Sequence, residues 1–190
     1  MILINKYTIM TKVVCDKHDI ILKKDKKNNI FSIDMELKNP NIILPEVLNL
    51  KLYDVLAKIN SKYIEKMELT KEEDTRAEFL LLLKQVGKDM GISPKYMYFE
   101  MVLERPSEDK IIYRTRSIPH EGAGPEGYDL MYSEYGFMSI HIINPHHVKL
   151  YYEINMDIED DVPIYMENIV GMMIKKVFFN FKQFIENSHN

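Results

Sequence analysis

Cysteine occurs once in the 190 residues, at Cys15. A disulfide within the chain is thereby excluded, and a lone thiol in an apolar stretch behaves as a small hydrophobe. That fits a reducing, intracellular compartment, and a cytoplasmic location is expected. No window approaches the roughly eighteen unbroken apolar residues of a membrane span, so no membrane partner is expected. The opening Met1-Ile2-Leu3-Ile4 runs straight into Asn5 and Lys6 and is read as too short for a secretory leader. Arginine is scarce as well: Arg76, Arg105, Arg114 and Arg116 are the only ones, and lysine supplies the rest of the 25 basic residues. Against 29 acidic residues the formal charge is -4, which removes any global electrostatic reason to bind DNA or RNA. Repeats, low-complexity tracts and Gly/Ser linkers are missing too, so one domain over residues 1–190 is expected.

The chain does contain enough to build a core. Hydrophobic residues make up 46% and charged residues 28%, well away from the composition of disordered chains. Residues 6–15 alternate, with Tyr7, Ile9, Thr11, Val13 and Cys15 on one face of a half-buried strand. Further strands are expected at 20–24 and 30–37, on either side of an Asn- and Asp-containing turn at Asp25–Asn29. Pro45 suits the first turn of a helix running to about residue 66, with Leu48, Leu52, Val55, Leu56, Ile59 and Tyr63 as its apolar stripe. Thr70 and Glu73 read as a capping box, and Gly91 as the terminator, of a second helix that turns Phe79, Leu82, Leu83, Val86 and Met90 inward.

Residues 95–104 then set Met97, Phe99, Met101 and Leu103 opposite Tyr96, Tyr98, Glu100 and Glu104, and 110–118 form the partner strand. Residues 137–143 and 148–157 pair around the tight turn Asn144-Pro145-His146-His147. Behind Asp160-Asp161, residues 163–187 are expected as one long helix. Its stripe of Met166, Ile169, Val170, Met173, Val177, Phe181 and Phe184 is widened by Tyr165, Met172, Phe178, Phe179 and Ile185. So broad an apolar face implies a second surface beyond the sheet, supplied by a central helix or by another subunit. The expected fold is therefore α+β: a mostly antiparallel sheet of six or seven strands, two central helices, and a long C-terminal helix packed on one face. A sheet gripped by such a helix resembles the helix-grip architecture, from whose order the three strands before the helices depart.

No motif commits the chain to catalysis. Gly122-Ala123-Gly124-Pro125-Glu126-Gly127 has the letters of a dinucleotide loop, but no long helix or parallel unit follows, and Glu126 opposes a pyrophosphate. His120 and Glu121 lack a second histidine one turn on, since position 124 is glycine; His141, His146 and His147 show no regular ligand spacing. Cys15 has no evident activating base, and neither a nucleophile elbow nor a phosphate-binding loop occurs. No catalytic residue, metal or cofactor is assigned.

Three features remain. Lys23, Lys24, Lys26 and Lys27 gather positive charge at the first hairpin, and Arg114 and Arg116 share one face of their strand. Irregular stretches near twenty residues are uncommon in compact domains, and 117–136 carries Tyr128, Met131, Tyr132 and Tyr135. Tyrosine is enriched at protein interfaces because it combines large area with a polar tip. The leading expectation is thus a noncatalytic protein-interaction or assembly module, self-associating as a homo-oligomer or binding another protein through those four residues. A nucleic-acid-associated domain using the lysine and arginine set is the alternative. A small metal-dependent hydrolase around His120, Glu121, His141 and His147 is the third.

Overall fold

The computed structural model describes residues 11–25, 29–85, 93–119, 124–156 and 164–189. Alternating apolar residues form strands throughout them: β1 (Thr11–Lys17), β2 (Ile20–Asp25) and β3 (Ile30–Lys38) precede two short helices, α1 (Leu44–Val47) and α2 (Leu52–Ile59). The strands β4 (Ile64–Glu72), β5 (Arg76–Leu83), β6 (Lys95–Ser107), β7 (Lys110–Ser117), β8 (Asp129–Leu130), β9 (Gly136–Asn144) and β10 (His147–Asn155) follow, and α3 (Ile164–Asn187) ends the chain's regular structure. All belong to a single sheet in the order β1-β2-β3-β10-β9-β7-β6-β5-β4, antiparallel throughout except for β8, which lies parallel to the start of β6.

The mixed α+β class, the dominant antiparallel sheet and the long last helix agree with expectation; the strand number does not, since the described sheet has 10 strands. The difference lies in the expected central helices. Residues 76–83 pair in register with β6, Phe79 opposite Phe99 and Ala77 opposite Met101, so the supposed second helix is strand there. Thr70 caps nothing: its hydroxyl donates across the hairpin to the Glu78 carbonyl, and the Glu73 N–H closes the turn onto the Arg76 carbonyl. Four consecutive leucines satisfy helical and strand periods equally, and the ladder to β6 decides between them. Val86, Met90 and Gly91 lie outside the described residues.

The first central helix is shorter than expected. Pro45 does stand in the first turn of α1, but Asn49 breaks the chain's helical run by donating to the Glu46 carbonyl and accepting from the Lys51 N–H. Asn60, fully buried, ends α2: its amide donates to the Leu56 carbonyl at 3.0 Å and accepts from the Asn180 amide of α3 at 2.8 Å. At the amino-terminal strand a bulge between Val13 and Cys15 spoils the expected alternation and leaves Val13 exposed. The 144–147 turn is as expected, with the His146 N–H bonded to the Asn144 side chain.

α3 packs against β2 and β3 at one side of the sheet and against α2 at the other, while α2 rests on β4. The two helices therefore bridge the far ends of the strand order. Phe178, Phe181 and Ile185 are buried beneath α3, whereas Phe184, counted in its inner stripe, points out and is 43% exposed. Gly171 permits the close approach: a β-carbon there would lie 2.8 Å from the Phe31 ring. No helix among the described residues is long and apolar enough to cross a membrane.

Candidate functional site

The sheet's inner face and the helices do not meet everywhere. Between them the described residues enclose a cavity of about 580 Å3, inside the range of roughly 300 to 1,000 Å3 usual for small-molecule sites. Period two turns Leu81 and Leu83 of β5, Met97 and Phe99 of β6, Met138 of β9, and Tyr152 and Ile154 of β10 toward it. α2 contributes Leu52, Tyr53 and Leu56 from one side, and α3 contributes a row from Ile169 to Phe181 from the other. The second surface demanded by the broad stripe of α3 is thus this cavity together with α2. Six of the 13 methionines (Met67, Met97, Met131, Met138, Met156 and Met173) line it. Unbranched and polarizable, they let a wall adapt to the shape of an apolar guest.

Few polar groups face the interior, and most of them are occupied. The Ser133 hydroxyl donates to the Asn155 carbonyl at 2.7 Å, and the Ser117 hydroxyl accepts the Ser133 N–H at 2.9 Å. The hydroxyls of Tyr53 and Tyr152 differ. Both rings line the cavity, Tyr53 stacked on Phe79 at 5.4 Å and Tyr152 tilted on Phe178 at 4.6 Å. Burial pushes both phenols well above tyrosine's ordinary pKa. Tyr113 beside them is also pushed up by burial and donates to the Asn49 carbonyl at 3.4 Å.

Lys84, Ser93, Lys95, Asp129 and Leu130 also line the cavity, the last 58% exposed. Lys95 binds Asp129 at 3.1 Å, and this bond, with that of Ser93, holds the Asp129 carboxyl below its usual range. The segment 117–136 supplies this wall: the Met131 N–H bonds to the Tyr96 carbonyl and the Asp129 N–H to the Pro94 carbonyl. Of its singled-out residues, Met131 lines the cavity. Tyr128 donates to Glu65 at 2.8 Å, Tyr135 donates to Glu153 at 2.8 Å, and Tyr132 is 47% exposed.

The basic set is dispersed into ion pairs rather than gathered. Lys23 binds Asp34 at 2.7 Å, and Lys24 is buried with its ammonium 5.6 Å from the Phe31 ring centre. Arg114 binds Glu104 at 3.1 Å, Arg116 binds Glu100, and Lys26 and Lys27 lie outside the described residues. The histidines are equally scattered. His141 faces Asp109 at 3.7 Å, His146 bonds to the Ile42 carbonyl, and His147 meets Glu36 at 3.0 Å. Lys38 first, then His147, pulls Glu36 down to about 2. His120 and Glu121 lie outside the described residues, and among those described no three His, Cys, Asp or Glu side chains gather into a metal site.

Most of the cavity-lining residues were not singled out from the sequence. Tyr53 and Tyr152 carry no motif, and the cavity had only two signals in the sequence: the excess width of the α3 stripe and the abundance of methionine. Comparison with known proteins agrees with the geometry. No protein-family model and no curated sequence matches the chain. Among solved structures, human StAR-related lipid transfer protein 5 superposes with a TM-score of 0.76 at 10% identity, over 95% of this chain and 88% of that one. Human STARD10 gives 0.68 at 10% identity, over 91% and 71%. The STAR-related lipid transfer protein of Xanthomonas axonopodis gives 0.71 at 13%, over 92% and 98%. These likenesses overturn the expected protein-interaction or homo-oligomeric assembly module, and with it the nucleic-acid and hydrolase alternatives. The physical reason is that the helices and sheet enclose a ligand-sized apolar chamber, while the charged and histidine residues are spread over separate local pairs. The chain has the fold of STAR-related lipid-transfer domains.

Proposed function

We propose that this protein binds one lipid in its interior cavity and holds the apolar part out of water. The observation that carries the reading is the cavity of about 580 Å3 with its wall of Leu, Met, Phe and Ile side chains. An apolar guest leaving water for such a wall gains about 25 cal/mol for each Å2 it buries. The solved structures of like fold bear the name lipid transfer protein, which supports the same class of ligand here. The exposed lining residues Lys84 and Leu130 mark a route for entry, and the polar side chains near them suit contact with a lipid-water boundary.

The test is direct. Purified protein is mixed with vesicles of mixed cellular lipids, separated from them, and extracted for mass spectrometry. About one lipid per chain is expected in the wild type. Met138→Trp, which places a large ring in the cavity, is expected to lower recovery while melting shows a folded protein. No lipid recovered from folded wild-type protein would overturn the reading.

A further inference from the structure

Tyr53 and Tyr152 line the apolar chamber, and neither side chain hydrogen-bonds to a described residue. Neither oxygen is walled off by packing. They come from opposite walls, Tyr53 from α2 and Tyr152 from the centre of β10, and each ring is fixed by aromatic neighbours. Each also sits close enough for Tyr53 to bear on the ionisation of Tyr152. Hydroxyls that a guest shuts off from water without replacing the lost bonds are unfavourable, so two of them on opposite walls point to a guest that supplies a polar atom.

Charge and size narrow that guest. Among the described residues the cations at the cavity wall are Lys84, Lys95 and Arg116; Lys84 is exposed, Lys95 is held by Asp129, and Arg116 is held by Glu100. None of these three acts on the ionisation of Tyr53 or Tyr152, and an unpaired charge is far costlier to desolvate than a neutral polar group. A cavity of about 580 Å3 lies within the range of sites that take one small molecule, and one long chain with its polar end is a guest of that class.

We propose that the cavity takes an uncharged single-chain lipid whose hydroxyl or carbonyl group is held between the Tyr53 and Tyr152 hydroxyls. The inference rests on the lipid-binding reading above and deepens it by naming a specificity site. A phenol both donates and accepts, so the pair serves an alcohol as well as a carbonyl.

The experiment follows transfer of radiolabelled hexadecanol and hexadecane from phosphatidylcholine vesicles to wild-type protein, Y53F, Y152F and the double variant. Comparing protein variants for each probe cancels the vesicle's own preference. Retention of hexadecanol is expected to fall ~10-fold in the double variant, while retention of hexadecane changes less than ~2-fold. Melting is expected to show all variants folded, because the lost hydroxyls have no protein partner. Unchanged hexadecanol retention in the double variant, or an equal fall for both probes, overturns the tyrosine site while leaving lipid binding standing. Hexadecyl sulfate, permanently anionic, is expected to displace hexadecanol ~10-fold less well than unlabelled hexadecanol does; equal or better displacement overturns the uncharged headgroup. Retention of no probe by folded wild-type protein overturns both readings together.

Discussion

Phe181 and Phe184 are three residues apart on α3, yet only the first is anchored: Phe181 is 1% exposed and Phe184 43%. Phe181→Ala is expected to cost about 3 to 5 kcal/mol and Phe184→Ala under about 0.5, which paired denaturant melts measure. Gly171 is a second sensitive position, because the Phe31 ring that a side chain would strike is itself fully packed. Gly171→Val should cost about 1 to 3 kcal/mol by overpacking. The buried tyrosines leave a signature in alkali. Burial raises Tyr53, Tyr113 and Tyr152 above their unfolded pKa, so above about pH 10 the unfolded chain loses protons that the native chain keeps. Stability is then fully present below that pH and falls as pH rises, by about 1.4 kcal/mol per pH unit for each such hydroxyl. The Y53F/Y152F double variant is expected to flatten that fall, and an unchanged slope would show that these phenols ionise as readily folded as unfolded.

At the scale of elements, the stretch from Thr70 onward sets the helix expected from the sequence against the strand that forms. Both readings turn Phe79 and Leu83 inward; the helix adds Leu82, whereas β5 adds Ala77 and Leu81, and burial follows the second pattern. Leu81→Ala is expected to cost about 2 kcal/mol, the low end for leucine because Leu81 already borders the cavity. Leu82→Ala, half-buried on the other face, is expected to cost at least about 1 kcal/mol less. The reverse order in urea melts would restore the helix. α3 teaches a related point. Its apolar face is too wide for one contact because it serves two, closing the core over β2 and β3 and then roofing the cavity.

For the whole molecule, the cavity leaves part of the interior unfilled by the described residues. A ligand that binds only the folded state stabilises it by about 2.7 kcal/mol at a hundredfold excess over its Kd. For a chain of this size that corresponds to a rise in Tm of about 5 to 10 °C. Hexadecanol is expected to produce such a shift in the wild type, and a smaller one in Y53F/Y152F, by calorimetry at matched lipid concentration.

Local pattern by itself determined much of this protein. Alternation in 20–24, 30–37, 95–104, 110–118 and 137–157 placed seven strand segments once 6–15 is counted, although only residues from Thr11 onward can be compared. The turn at Asn144-Pro145 and the span of α3 were equally legible, because turn chemistry and helical period are properties of neighbouring residues. Tertiary structure alone decided the rest. Whether the leucines of 80–83 form helix or strand depended on β6, a partner more than ten residues away. Whether Tyr53 and Tyr152 form a site depended on an α2 side chain and a β10 side chain, a hundred residues apart in sequence, facing one chamber. A cavity is a volume where side chains fail to meet, and no periodicity along one segment records what the opposite wall leaves unfilled.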